Sequence, residues 1–188
     1  LESADDAVEF FGGTVNVTNL LAVNPDDDMF DFTQGYSGTL KNCYGVWENG
    51  YTSTEADPRG IEADGNLDGD YSDHLRQSDF AVENMTIVNN AANTTDNVDR
   101  MQDVIKIRRG AKATITNALV KGSGGTIDLI DMNDRKGAGS ASSSISITHT
   151  LNFKNKLNGT LNTFTEPTTN TGADASLFTW TGYNISSL

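Results

Sequence analysis

The chain has 188 residues, 36% of them hydrophobic, with 18 glycines and 26 acidic against 13 basic side chains, for a formal charge of −13. A field of that sign repels phosphate, which argues against nucleic acid and anionic membranes as partners, and no apolar run approaches the length of a transmembrane segment. Length suits one domain, and abundant Gly, Asn, Thr and Asp suit many short strands joined by turns rather than long helices.

The chain begins at once in strand-like sequence, with no initiator Met and no signal peptide. It reads as a processed or trimmed product, with earlier coils expected to precede it. Two short patterns then recur. The first, an apolar residue among polar ones, stands at Ala7-Val8-Glu9-Phe10 and returns at residues 29–32, 60–63, 104–107 and 126–129. Val8 to Phe30 and Ile105 to Ile127 are steps of 22, Ile61 to Ile105 is 44, and Phe30 to Ile61 is 31, a repeat plus an insertion. The second pattern follows the first and carries an asparagine: Val17-Thr18-Asn19, Leu40-Lys41-Asn42, Val82-Glu83-Asn84, Ile115-Thr116-Asn117. A fifth version, Ile147-Thr148-His149, places His149 where the asparagine stood.

A repeat of about 22 residues is the coil length of a stacked β solenoid, whose coils pair at ~4.8 Å. Asparagine tolerates the left-handed conformation at a bend, and its amide can bond the equivalent amide one coil away. The expected fold is therefore all-β, a right-handed parallel β-helix with a ladder of Asn19, Asn42, Asn84, Asn117 and His149. Coils span residues 1–156, with insertions at 48–58, 64–79 and 131–144. Residues 157–188 supply a last strand and a C-terminal cap, with residues 176–181 apolar enough to plug the open end.

Several stretches resemble one known group. Val8-Glu9-Phe10-Phe11-Gly12-Gly13, Asp28-Met29-Phe30-Asp31-Phe32, Gly60-Ile61-Glu62-Ala63-Asp64-Gly65-Asn66 and the closing Gly172-Ala173-Asp174 are similar to the cell-surface, lipoprotein-type β-helix proteins of Bacteroidota. The resemblance implies a pectate-lyase-like superfamily fold and an extracellular or outer-surface location in a bacterial envelope. It implies no activity. Polygalacturonases of that superfamily carry Asn-Thr-Asp, Asp-Asp and Gly-His-Gly; this chain has Asp26-Asp27-Asp28 with Asp31 but no Gly-His-Gly, which reads as turn residues rather than a hydrolase centre.

The sharpest local motif is Asp64-Gly65-Asn66-Leu67-Asp68-Gly69-Asp70-Tyr71-Ser72-Asp73, the first half of a calcium loop. Asp64, Asn66, Asp68, Asp70 and Asp73 are its candidate ligands for a structural Ca2+, although Leu75 stands where the loop's bidentate Glu belongs. His74 and His149 have no ligand-spaced companion, so zinc is not expected. Lys106 and Arg108 share a strand face and read as a solvated face, and Cys43, between Leu40 and Val46, reads as a buried thiol. Tyr36, Trp47, Tyr51 and Tyr71 form a candidate stacking platform for a polysaccharide or host-surface glycan. The expected function is a non-catalytic exported surface protein for glycan binding or adhesion. A polysaccharide lyase or glycoside hydrolase on the same scaffold, and a purely structural spacer, are the alternatives.

Overall fold

The computed structural model describes residues 3–66, 76–91 and 101–188. Eleven strands occur among them: β1 (Glu9–Phe11), β2 (Val17–Val23), β3 (Phe30–Thr33), β4 (Thr39–Trp47), β5 (Arg59–Ala63), β6 (Asp79–Asn89), β7 (Met101–Ile107), β8 (Lys112–Gly122), β9 (Thr126–Asp131), β10 (Ser144–His149) and β11 (Thr163–Thr165). The odd-numbered strands β1-β3-β5-β7-β9 form one sheet and β11-β10-β8-β6-β4-β2 the other. Every strand pair in both sheets is parallel. Up to β10 the chain crosses from one sheet to the other at each step, so identical positions stack.

Alternation within the strands sends one set of side chains between the sheets. Val17, Leu40, Val82, Ile115 and Ile145 align in one sheet, and Phe30, Ile61, Ile105 and Ile130 in the other. Burying each such side chain contributes about 1.5–3 kcal/mol. The last of these corrects the sequence reading: Ile130, not Ile127, stands beside Ile105, because this coil is 25 residues long rather than 22.

Asn19, Asn42, Asn84 and Asn117 all adopt positive φ, between 52° and 57°, at the same place in β2, β4, β6 and β8. Asn42 Nδ2 donates to Asn19 Oδ1 at 2.9 Å, and Asn117 Nδ2 to Asn84 Oδ1 at 2.8 Å. His149 does not continue this row. Ile145, not Ile147, faces Ile115, a register shift follows, and His149 lies beside Val120. Its Nε2 meets Glu166 Oε1 at 2.8 Å instead.

The tail also departs from the expected plug. From Asn170 it runs back over the outside of the larger sheet. Asn170 Nδ2 donates to the Ala118 carbonyl (3.2 Å), Thr171 N to Asn117 Oδ1 (2.8 Å), Ala173 N to Thr86 Oγ1 (2.9 Å) and Asp174 N to Asn42 Oδ1 (2.6 Å). A 3-10 segment, Ala175–Thr181, follows, capped by Asp174. It buries Phe178 in a second apolar cluster with Tyr44, Val46, Val88 and Ile185. The reason is that β4 and β6 present apolar residues on both faces, and their outer face needs a cover.

Candidate functional site

Two regions concentrate chemistry. The first is the outer face of the smaller sheet. The strand pattern that turns Phe30, Ile61 and Ile105 inward turns Glu9, Asp31, Glu62, Lys106 and Asp131 outward, in register. A parallel row holds Arg59, Asp103 and Asp128. The face is not solvated, contrary to the sequence reading: Lys106 is 8% exposed and Arg59 4%.

Such burial requires pairing. Arg59 bonds Glu62 and reaches Asp57 at 2.6 Å, Asp103 at 3.5 Å and Asp28 at 3.9 Å. Lys106 meets Asp131 at 2.5 Å, and Arg108 bonds Glu62 and, at 2.9 Å, Asp64. The carboxylates outnumber their partners. Asp28, Asp31, Glu62, Asp64, Asp103, Asp128 and Asp131 are all buried, against Arg59, Lys106, Arg108 and Arg109. Burial, with Glu62 and Asp6 nearby, pushes the Asp31 carboxyl up to about 9. Burial likewise raises Glu62 to about 7 and Asp103 to about 6, against the pull of the neighbouring cations. Asp28 Oδ1 and Asp31 Oδ1 find no hydrogen-bond partner.

The second region is an open groove of about 580 Å³ between β2, the edge strand of the larger sheet, and the C-terminal segment. Leu20, Leu21 and Val23 form its floor, Trp180, Thr181, Gly182 and Tyr183 its wall, and Asn19 its polar corner. Trp180 is 73% exposed, the most exposed large apolar side chain among the described residues. At three residues per 3-10 turn, Phe178 and Trp180 cannot share a side; with Phe178 buried, Trp180 is turned outward. The Tyr183 hydroxyl donates to Glu48 Oε1 at 2.6 Å, which fixes that ring. Gly182, at φ 72°, ends the segment in a left-handed turn.

With the parallel sheets and stacked registers established, one comparison decides the family: the model for a pectate-lyase-like β-helix domain matches residues 1–184. The chain belongs to that family. No curated protein and no solved structure matches it.

The β-helix redistributes the residues singled out from sequence. Tyr36 is fully buried, packed against Phe10, Phe32 and Phe80, with its hydroxyl on the Val15 carbonyl. Trp47 is 1% exposed and donates its Nε1 proton to the Pro25 carbonyl at 3.0 Å. Half-buried Tyr51 donates to the same carbonyl at 2.9 Å. These rings close the core and pin the loop after β4; they form no exposed platform. Tyr71, Asp68, Asp70, Asp73 and His74 lie outside the described residues. Asp64 is held by Arg108 at 2.9 Å and Arg109 at 3.2 Å, and the Asn66 amide nitrogen donates to the Arg76 carbonyl at 2.9 Å. Asp26 organises residues 51–54, accepting from Thr54 N at 2.8 Å. Cys43 is buried, its thiol pushed up to about 12 by desolvation.

Trp180 was missed because Leu177, Phe178 and Trp180 read together as one apolar plug. The available signal was the spacing of Phe178 and Trp180 between a capping Asp174 and Gly182, a short turn that can bury one ring only.

Proposed function

We propose that this β-helix is a non-catalytic, exported surface protein that binds glycan in the groove beside Trp180. One observation carries the reading: a large indole, 73% exposed, borders an open groove of about 580 Å³ whose corner is the Asn19 amide. Sugar rings present one apolar face and a rim of hydroxyls, so they suit a flat aromatic beside fixed amide and hydroxyl groups. Asn19 Oδ1 already accepts from Asn42, which orients its Nδ2 as a donor. In this reading the scaffold is a right-handed solenoid of coils of about 22 residues. An asparagine ladder holds its bends and the C-terminal segment serves as binding wall. The acidic surface and the resemblance to Bacteroidota lipoprotein-type β-helices support a location on the outer cell surface.

The test is a glycan array followed by calorimetry on the hits, comparing the chain with Trp180→Ala. Loss of a stacked ring is expected to weaken binding about tenfold, roughly 1.4 kcal/mol, with melting unchanged because Trp180 is mostly in solvent. Equal affinity in the variant sinks the groove as the site. The lyase or hydrolase alternative draws on Glu62 and Asp103, raised to about 7 and about 6 beside Arg59 and Lys106. Those four groups are each under a tenth exposed, which disfavours substrate access. Release of unsaturated uronates or reducing ends from polysaccharide substrates, lost in Asp103→Asn, would establish it.

A further inference from the structure

We propose that Asp6, Glu9 and Asp31 bind a divalent cation, calcium by its chemistry, on the outer face of β1 and β3. The three carboxylates place ligand oxygens within 4.8 Å of one another. Parallel register sets Glu9 beside Asp31, and Asp28 N donates to Asp6 Oδ1 at 2.9 Å, which holds Asp6 over the same spot. Residues 5–9 are laid along β3 by Ala7 N on the Asp28 carbonyl (2.9 Å) and Asp31 N on the Val8 carbonyl (3.0 Å).

An acidic cluster alone is no site, and this one has a second feature. Asp31 is 7% exposed and its Oδ1 has no hydrogen-bond partner. Asp28, 3% exposed and next along the same strand entry, has an unpartnered Oδ1 as well. A buried carboxylate oxygen without a partner is costly, and three carboxylates this close repel one another. Arg59 is shared among Asp57, Glu62, Asp103 and, at 3.9 Å, Asp28. Calcium takes oxygen ligands at about 2.3–2.6 Å, so oxygens on one ion stand up to about 5 Å apart, as these do. Exposed Glu9 leaves a path for the ion and room for its waters. A second trio, the buried Asp103, Asp128 and Asp131, is held by Lys106 on Asp131 at 2.5 Å and Asn155 Nδ2 on Asp128 at 2.7 Å.

The site differs from the half-motif at residues 64–73, so variants separate the two. Calorimetric titration of the full chain with calcium chloride, after chelator treatment and dialysis, is the experiment, repeated with magnesium. The chain is expected to bind calcium, more tightly than magnesium. Asp31→Asn and Asp6→Asn should each weaken it about tenfold or more, and Asp68→Ala should leave it unchanged. In chelator, Asp31→Asn should melt at or above the parent temperature, because it removes a buried carboxyl whose Oδ1 has no hydrogen-bond partner. Should that variant fail to fold, half-buried Asp6 carries the test. No calcium binding by the intact chain overturns the proposal. So does equal affinity in Asp6→Asn, or loss of all binding in Asp68→Ala.

Discussion

Asn117 separates two contributions that the repeated asparagines combine. Its backbone sits at φ 52°, where a β-carbon costs roughly 1–2 kcal/mol in residues other than Gly, Asn and Asp. Its side chain donates to Asn84 Oδ1 at 2.8 Å and to the Gly172 carbonyl at 3.2 Å, and accepts from Thr171 N at 2.8 Å. Asn117→Gly keeps the conformation and loses the bonds, at an expected cost of about 1–2 kcal/mol. Asn117→Ala loses both and should cost about 1 kcal/mol more. Urea midpoints of the two variants check the difference, and equal midpoints would mean the backbone term is absent. The conformational demand is also why these four positions were legible: few residues accept it, so it marks the sequence. His149 was not legible in the same way. Ile145 and Ile147 are both inward-facing candidates to align with Ile115, and only the observed register shift chooses between them.

At the scale of elements, the strands were readable because alternation and repetition are local, while the route of the tail depends on a partner far away in sequence. Nothing within residues 167–188 says that they will lie on β4, β6 and β8 rather than over the last coil. The signal stood in the strands instead. β4 is buried at Cys43 and Trp47 on one face and at Tyr44 and Val46 on the other, so a cover was required. The same ambiguity misled the reading of Tyr36 and Trp47, whose orientation a short strand-edge segment does not decide. Phe178 tests the cover. It is 1% exposed and meets Tyr44 edge-on with ring centroids 6.0 Å apart. Phe178→Ala is expected to cost about 3 kcal/mol in urea unfolding, as large-to-small changes at buried rings do. Trp180→Ala, two residues on, should cost within about 0.5 kcal/mol. Phe178→Ala should also weaken binding in the groove, since it releases the wall that holds Trp180.

Over the whole molecule acidic side chains outnumber basic ones, and on the outer face of the smaller sheet seven buried carboxylates meet four basic partners, an imbalance that pH reads. Asp103 is the cleanest probe. Burial pushes its carboxyl from 3.8 up to about 6; Lys106 and Arg59 pull against that, while Asp131 and Asp128 add to it. Between those values the folded chain keeps a proton that the unfolded chain has released. The contribution is therefore complete below about pH 4 and is lost as pH rises to about 6. Glu62, raised to about 7, extends the loss in the same direction. Asp134 acts oppositely: burial raises it, but Arg109 and the Lys136 N–H outweigh burial and hold it at about 2. Its contribution is complete by about pH 4, so it does not mask the slope above. Melting temperature, followed in chelator from pH 4 to 7, should fall for the parent chain, and Asp103→Asn should flatten the part between 4 and 6. A parent-like slope in the variant would mean that Arg59 and Lys106 keep Asp103 ionised throughout, and that the surplus charge is resolved elsewhere on the face.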